Sequence, residues 1–164
     1  MTRGPRRAYA SARRLVAVPS SRAVAPVPIE SALGAAQARA LVSAARRVRA
    51  NAFAPYSKFQ VGAAVLDEKG RVHVGCNVEN ASYGLTICAE RNAVAAAIAA
   101  GARRVLAVAV VTGAHPATPP CGACRQVLVE VAADDTVVLL ASTRGQGVPE
   151  RWKLGDLLPR AFRL

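Results

Sequence analysis

The sequence predicts an α/β fold with three layers, in which helices cover a mixed β-sheet. Helix-like and strand-like segments follow one another in the order α-β-β-α-β-α-β, which is typical of a sheet packed between helices. The chain has 164 residues, the size of one domain, and 52% of them are hydrophobic, enough for a core. Only 4% are aromatic, so we expect a core made mainly of small side chains.

Four segments carry the helical part of this prediction. Apolar residues recur at helical spacing over residues 31–50, and most arginines of that segment fall off the apolar stripe. Residues 88–100 are rich in alanine and end before Gly101, a residue type that commonly terminates helices. A third helix is predicted over about residues 121–132, and a short turn or helix over residues 154–158.

Four other segments have the short apolar runs of strands. Residues 60–66 and 71–78 are separated by a polar turn at residues 67–70, which predicts two strands joined by a turn. Residues 104–112 are rich in valine and predict a buried strand, and residues 136–141 predict another. These strands form the central layer of the predicted fold.

Three cysteines and one glutamate form the most informative motif. Cys88 is followed by Ala89 and Glu90. Cys121 and Cys124 belong to a P-C-x-x-C motif, and Cys121 lies 33 positions after Cys88. Three thiolates can hold a zinc ion and leave its fourth position open, where water becomes a nucleophile near neutral pH. Cys88 and Cys121 both begin predicted helices, whose unpaired N–H groups lower thiol pKa values. A glutamate that is not a ligand completes the pattern known from zinc deaminases.

Two other interpretations of the cysteines explain less. A redox C-x-x-C pair would account for Cys121 and Cys124, but for neither Cys88 nor Glu90. A structural zinc site would be closed by a fourth ligand, and Cys76 is the one thiol left for that position. We expect Cys76 to be a small buried hydrophobe at the end of a strand.

The first thirty residues differ in composition from the rest. Residues 1–30 contain six arginines and one acid, and Pro19, Pro26 and Pro28 oppose a helix. We therefore expect a basic, disordered arm over residues 1–30 and a folded domain over residues 31–164. Arg13 and Arg14 resemble the start of a twin-arginine export signal, but the apolar run that follows them, residues 15–18, is too short for one. A dispensable tail, an organellar transit peptide and a start codon assigned too far upstream all stay open.

The chain is strongly basic, with a formal net charge of +12. A basic surface attracts nucleic acid without sequence preference. Solvated arginines in an arginine-rich composition explain the charge more simply, so we expect no specific nucleic-acid partner. The apolar runs are far shorter than the roughly 20 residues of a membrane-spanning helix, so we expect no membrane partner.

Longer sequence motifs surround the cysteines. They are FAPYSKF at 53–59, VGAA at 61–64, GCNVENASYG at 75–84, CGACRQVL at 121–128 and LLP at 157–159. With these motifs the chain, over roughly residues 33–164, resembles cytidine deaminases of the small homotetrameric zinc-dependent type. The resemblance implies a three-layer α-β-α fold around a mixed five-stranded sheet and one zinc ion per subunit. It also implies hydrolytic deamination of cytidine and deoxycytidine in cytoplasmic pyrimidine salvage.

The resemblance assigns roles beside the metal. Glu90 is the general acid/base, which moves a proton from the attacking water to the pyrimidine ring nitrogen. The backbone N–H of Ala89 helps to orient the pyrimidine. Arg91 offsets part of the negative charge that three thiolates bring to the metal. Without the resemblance, Glu90 would be a first-turn glutamate that favours the helix dipole, and Arg91 an exposed helix arginine.

Further implied roles concern the substrate and the subunit contacts. Asn77 and Glu79 hydrogen-bond the ribose hydroxyls, and a carboxylate there disfavours a 5′-phosphate, so we expect a nucleoside substrate. Phe59 packs on the base. Phe162 closes a neighbouring subunit's site and Tyr83 lies at a subunit boundary, which implies a homotetramer with shared active sites. The simpler interpretations of these residues are a capped turn and local packing.

Two related kinds of deaminase fit the sequence less well. The blasticidin S type shares the cysteine motifs, but we do not expect it to carry the NVENAS string found at residues 77–82. Deaminases of polynucleotides normally have a histidine in place of Cys88. The sequence therefore favours a free nucleoside over both alternative substrates.

Overall fold

The computed structural model describes residues 33–145 and 147–164. The predicted arm, residues 1–30, lies outside the described residues. Within these two ranges, no helix combines the length and the hydropathy that crossing a bilayer requires. The described elements are α1 (Ala35–Arg49), β1 (Gly62–Asp67), β2 (Val72–Cys76), a 3₁₀ turn (Tyr83–Leu85), α2 (Ala89–Ala99), β3 (Val105–Thr112), α3 (Gly122–Val131), β4 (Ala132–Ser142), β5 (Glu150–Lys153) and α4 (Leu154–Leu157).

The five strands form one mixed sheet in the order β2-β1-β3-β4-β5. β1 pairs antiparallel with β2 and with β3, and β4 pairs antiparallel with β5. β3 and β4 run parallel, because α3 carries the chain back to the start of the sheet between them. The predicted three-layer α-β-α fold with a mixed five-stranded sheet is confirmed.

Two buried clusters hold the layers together, one on each face of the sheet. On one face, Leu41 and Ala45 of α1 share a cluster with Leu139 of β4. On the other face, Leu128 of α3 shares a cluster with Val108 of β3, and residues of α2 and α4 complete it. Alanine, valine and leucine make up nearly all of both clusters, as the low aromatic content predicts.

The fifth strand is the element that the hydrophobic pattern did not predict. All four residues of β5, Glu150–Lys153, are exposed, and three of them are charged. Such a segment has the composition of a loop, and it becomes a strand by pairing with β4, where Arg151 lies opposite Leu139. Edge strands rich in charge resist pairing with a further chain.

The start of α2 is fixed tightly against β2. No side chain fits at Gly75, because a Cβ there would lie 2.4 Å from the backbone nitrogen of Ala93 and 2.5 Å from the carbonyl oxygen of Ala89. The Nδ2 group of Asn92 also donates a hydrogen bond of 2.8 Å to the carbonyl oxygen of Cys76. The first turn of α2 is therefore held beside the end of β2.

Candidate active site

Three cysteine sulfurs meet where α2 and α3 begin. Cys88 and Cys121 are the N-cap residues of these helices and have extended backbone conformations. Cys124 lies in the first turn of α3 and is buried. The three Sγ atoms all lie within 4.8 Å of one another, and those of Cys88 and Cys121 are 3.9 Å apart. Cys76 is partly buried, less than expected, and does not belong to this cluster.

The cluster fits a tetrahedral zinc ion. Zinc–sulfur bonds of about 2.3 Å in tetrahedral geometry place two sulfurs about 3.8 Å apart, close to the observed separation of 3.9 Å. Among the described residues the cluster comprises three ligands, so the fourth position of such an ion stays open. Open sites of this kind are catalytic, whereas structural zinc sites are closed.

The thiols of Cys88 and Cys124 interact, and the first favours its charged form while the second keeps its proton. The hydrogen bond from Cys124, together with the nearby Arg91, lowers the pKa of the Cys88 thiol to about 5. The same contact with Cys88, together with burial, raises the pKa of Cys124. The two groups thus titrate as a pair, and metal binding has to release the second proton.

Arg91 lies against the sulfur cluster. Its Nη2 group donates a hydrogen bond of 2.7 Å to the carbonyl oxygen of Thr86 and lies 3.8 Å from the Sγ atom of Cys88. Its Nε atom is buried and has no hydrogen-bond partner in the described part of the chain. A guanidinium placed this way lowers the electrostatic cost of gathering three thiolates.

Glu90 is buried one residue into α2. Its exposed fraction is 4%, and burial, reinforced by the charge of Cys88, raises its pKa above the ordinary value. A raised pKa makes a carboxylate a better proton acceptor, as a general acid/base requires. The helix start therefore places a buried carboxyl group two residues from Cys88 of the metal cluster.

Asn77 supports the segment that carries Phe59. Its Oδ1 atom accepts a hydrogen bond of 2.8 Å from the backbone of Val61, and its Nδ2 group donates one of 2.9 Å to the carbonyl oxygen of Phe59. An amide side chain has two N–H donors and two acceptor lone pairs. These two bonds use one donor and one acceptor of the buried Asn77 amide and leave one of each.

Glu79 holds the same segment from its other end. Its carboxylate accepts hydrogen bonds from the backbone N–H groups of Tyr56 and Ser57, at 2.9 and 3.2 Å, and from the Ser57 hydroxyl. The Ser57 hydroxyl and these amides outweigh burial and lower the pKa of Glu79. The group is therefore a carboxylate at neutral pH.

The aromatic residues Tyr83, Phe59 and Phe162 are exposed in the single chain. Glu79 and Tyr83 line the same cavity of about 400 Å³, and the ring of Tyr83 is 79% exposed. Phe59 is 39% exposed and Phe162 is 69% exposed. The Phe162 carbonyl oxygen accepts a hydrogen bond of 2.8 Å from Gln126 of α3, which ties the C-terminal segment to a helix of the metal site.

Two positioning residues were not predicted from the sequence. Arg125 donates hydrogen bonds to the carbonyl oxygens of Pro120, at 2.7 Å, and of Leu157, at 2.6 Å, and so fixes the loop before Cys121. Asn92, described above, fixes the start of α2. The available signal was a polar residue in an apolar helix, directly after the metal motifs.

Comparisons with known proteins agree with this geometry. The family profile described as "Cytidine and deoxycytidylate deaminase zinc-binding region" matches residues 35–140. The chain belongs to this family. The matched range contains the three clustered cysteines and Glu90, whereas Phe162 lies outside it. Family membership and the three-cysteine cluster together make zinc the cofactor.

Individual relatives extend over most of the family domain. A curated cytidine deaminase of Halalkalibacterium halodurans is 49% identical over 122 residues, which cover 74% of this chain and 91% of the relative. A crystal structure of cytidine deaminase from Burkholderia pseudomallei matches with a TM-score of 0.71 and 50% identity. The match covers 76% of this chain and 98% of the Burkholderia chain. The cytidine deaminase structure from Mycobacterium tuberculosis has a TM-score of 0.66 and 46% identity, with coverages of 77% and 97%.

Proposed function

We propose that this chain catalyses the hydrolytic deamination of cytidine and deoxycytidine to uridine and deoxyuridine, as a step of pyrimidine salvage. The observation that carries the proposal is the buried Glu90 carboxyl beside the cluster of Cys88, Cys121 and Cys124. The names of relatives at 49% and 50% identity support the same substrate.

The residues of this site divide the work between them. When bound, one zinc ion per subunit supplies a Lewis acid that lowers the pKa of water. Glu90 takes a proton from the attacking water and passes it to the pyrimidine ring nitrogen. It then takes the remaining proton of the newly bound hydroxyl group and passes it to the amino group, which leaves as ammonia while the carbonyl forms. The backbone N–H of Ala89, one of the unpaired donors of the first helical turn, orients the pyrimidine. Arg91 balances the charge of the thiolates.

The substrate's sugar lies against Asn77 and Glu79. The free donor and acceptor of the Asn77 amide and the Glu79 carboxylate suit a pair of ribose hydroxyls. A carboxylate whose pKa is lowered repels a 5′-phosphate, which favours nucleosides over nucleotides. Phe59, held by Asn77 through its own carbonyl oxygen, packs on the base.

The chain works as a homotetramer with shared active sites. Isolated β-bridges join Val78 to Phe53 on one side and to Ile87 on the other, so these three residues lie side by side. All three are exposed, as are Tyr83 and Phe162. An apolar patch of this kind is typical of a protein–protein interface. Partner subunits would cover it and close the substrate cavity.

The cytoplasm is the expected compartment. The described cysteines are free thiols, and thiolate zinc sites persist in reducing compartments. Pyrimidine salvage also takes place where nucleosides are metabolised.

A substrate panel tests the function. Loss of the cytidine absorbance band is followed with cytidine, deoxycytidine, CMP, blasticidin S and single-stranded DNA. We expect turnover of the two nucleosides only. Glu90→Gln, which keeps the size of the side chain, should lower kcat by about 10³-fold and keep its zinc, whereas Glu130→Gln, at an exposed position of α3, should leave kcat unchanged. Turnover of DNA, or an active Glu90→Gln enzyme, would contradict the proposal.

A further inference from the structure

A second cavity, lined by cations, lies beside the segment that carries Phe59. It has a volume of about 310 Å³ and lies at the ends of α1, β3 and β4. Its charged lining consists of Arg49, Lys58 and Arg144, and no carboxylate contributes to it. We call it the basic pocket. None of the three clustered cysteines lines it, whereas Phe59 does, so the basic pocket is separate from the metal cluster and adjoins the proposed substrate site at Phe59.

Arg49 is fixed in the wall of the basic pocket. Its Nε group donates a hydrogen bond of 2.9 Å to the carbonyl oxygen of Gln60. Its Nη2 atom lies close to Gly113, since a Cβ atom added to Gly113 would be 3.0 Å from this nitrogen. The guanidinium is half-buried and held in place, so binding an anion through its remaining N–H groups costs little side-chain entropy.

Lys58 is held in an unusual backbone conformation. Its φ is +58°, in the left-handed region that residues other than glycine rarely adopt. A hydrogen bond of 3.1 Å from its N–H to the carbonyl oxygen of Ala54 accompanies this turn. Strained residues of this kind concentrate at functional sites, and this one lines the basic pocket.

The three cations have no acidic partner among the described residues. The ion pairs found there join Asp67 to Arg71 and His73, and Asp134 to Arg163. Three like charges around one small cavity repel one another, and an anion with several charges removes that repulsion. Guanidinium groups, here those of Arg49 and Arg144, match the oxygens of a phosphate in pairs.

We propose that the basic pocket binds a phosphate-bearing small ligand through Arg49, Lys58 and Arg144. The binding does not depend on the proposed deaminase activity. A neighbouring groove along α1 is also lined by arginines, Arg39, Arg46 and Arg151, which would suit a nucleic-acid strand. The basic pocket is favoured for a small ligand because its three cations line one cavity of about 310 Å³, whereas the groove has an apolar floor that includes Leu139.

Calorimetric titration of the full-length zinc-loaded chain with inorganic pyrophosphate tests the proposal, with zinc content measured before and after. Orthophosphate and ADP form parallel arms, which separate a free phosphate from a phosphate ester as the source. Lys58→Asn combined with Arg144→Gln removes two charges from the basic pocket, and asparagine tolerates the left-handed conformation. Arg47→Gln combined with Lys153→Gln removes two exposed charges elsewhere and is the matched control.

We expect the pocket variant to bind pyrophosphate at least about tenfold more weakly than the control variant, because charge-assisted hydrogen bonds are lost. The control should stay within about twofold of the natural chain, since screening limits distant charges. Equal affinities of the two variants would overturn the proposal and assign binding to diffuse charge. A single-stranded oligonucleotide is titrated in the same way. If the pocket variant weakens its binding but not that of pyrophosphate, the surface serves nucleic acid and the proposal is wrong. Arg144→Gln alone gives the same comparison if the double variant unfolds.

Discussion

Gly75 of β2 and Ala93 of α2 pack so closely that no side chain fits between them. A Cβ on Gly75 would lie 2.4 Å from the backbone nitrogen of Ala93, well inside van der Waals contact. The same helix begins with Cys88 as its N-cap and carries Glu90 in its first turn. One residue without a side chain therefore sets the distance between the sheet and a metal-binding helix.

Gly75→Ala is expected to destabilise the fold and to displace the metal site. The added methyl group meets backbone rather than a flexible side chain, so we expect a loss of about 3 kcal/mol of unfolding free energy. Zinc content should fall as well, because the start of α2 has to move. Chemical denaturation and metal analysis measure both effects. Gly84→Ala, where a Cβ meets nothing within 4 Å, is the control, and equal stability of the two variants would contradict this account.

Removing single cysteines separates an open metal site from a closed one. Cys121→Ala takes away a ligand of the cluster, so we expect loss of zinc and a lower melting temperature, since metal binding is coupled to folding. Cys76→Ala should keep full zinc content, because Cys76 lies outside the cluster. Metal analysis after gel filtration measures both. A zinc-free Cys76→Ala protein would mean that the site has a fourth thiolate and is structural.

Asp67 should make the fold sensitive to acid. Burial alone would raise its pKa, but hydrogen bonds from His73, Arg71 and Lys69 outweigh burial and hold the pKa well below its usual range. The stability from this carboxylate is complete above the ordinary aspartate pKa of about 3.9 and is lost as the pH falls below that value. Asp67→Asn should therefore lower the urea midpoint at pH 7.

The pH dependence identifies the cause of that loss. The difference in urea midpoint between the natural chain and Asp67→Asn should shrink as the pH falls from about 6 to about 3, because Asp67 of the unfolded chain takes up a proton below about 3.9 while the folded chain still holds it as a carboxylate. Asp156→Asn, the same change at an exposed position, should have little effect at either pH. A difference independent of pH would show that Asp67 acts through its shape rather than its charge.

The metal site could be predicted from the sequence because its information is local. Cys88 and Glu90 are two positions apart, and Cys121 and Cys124 share one helical turn, so helix geometry alone brings each pair together. The strand Glu150–Lys153 could not be predicted, since its pairing with β4 depends on a partner that its charged residues do not indicate. The contacts of Asn77 with the backbone around Phe59 span 16 to 18 positions and also depend on tertiary packing.

Active sites completed by a neighbouring subunit should show complementation between two inactive chains. Glu90→Ala removes the proposed proton carrier within a subunit. Phe162→Ala removes the aromatic ring, 69% exposed in the single chain, that would close a partner's cavity and exclude water. Mixed tetramers would contain sites in which both residues are intact. Co-expression of the two variants under different tags should therefore give more activity than the sum of the two variants expressed alone.

The assembly itself provides the deciding control for that experiment. Truncation after Pro159 removes Phe162 with the last residues, so KM should rise and the tetramer should loosen together if the segment bridges subunits. Trp152→Ala changes an exposed ring on β5, away from the Phe53–Val78–Ile87 patch, and should alter neither property. A monomer that is fully active on sedimentation at assay concentration, or co-expressed variants whose activity only equals the sum, would mean that each subunit closes its own site.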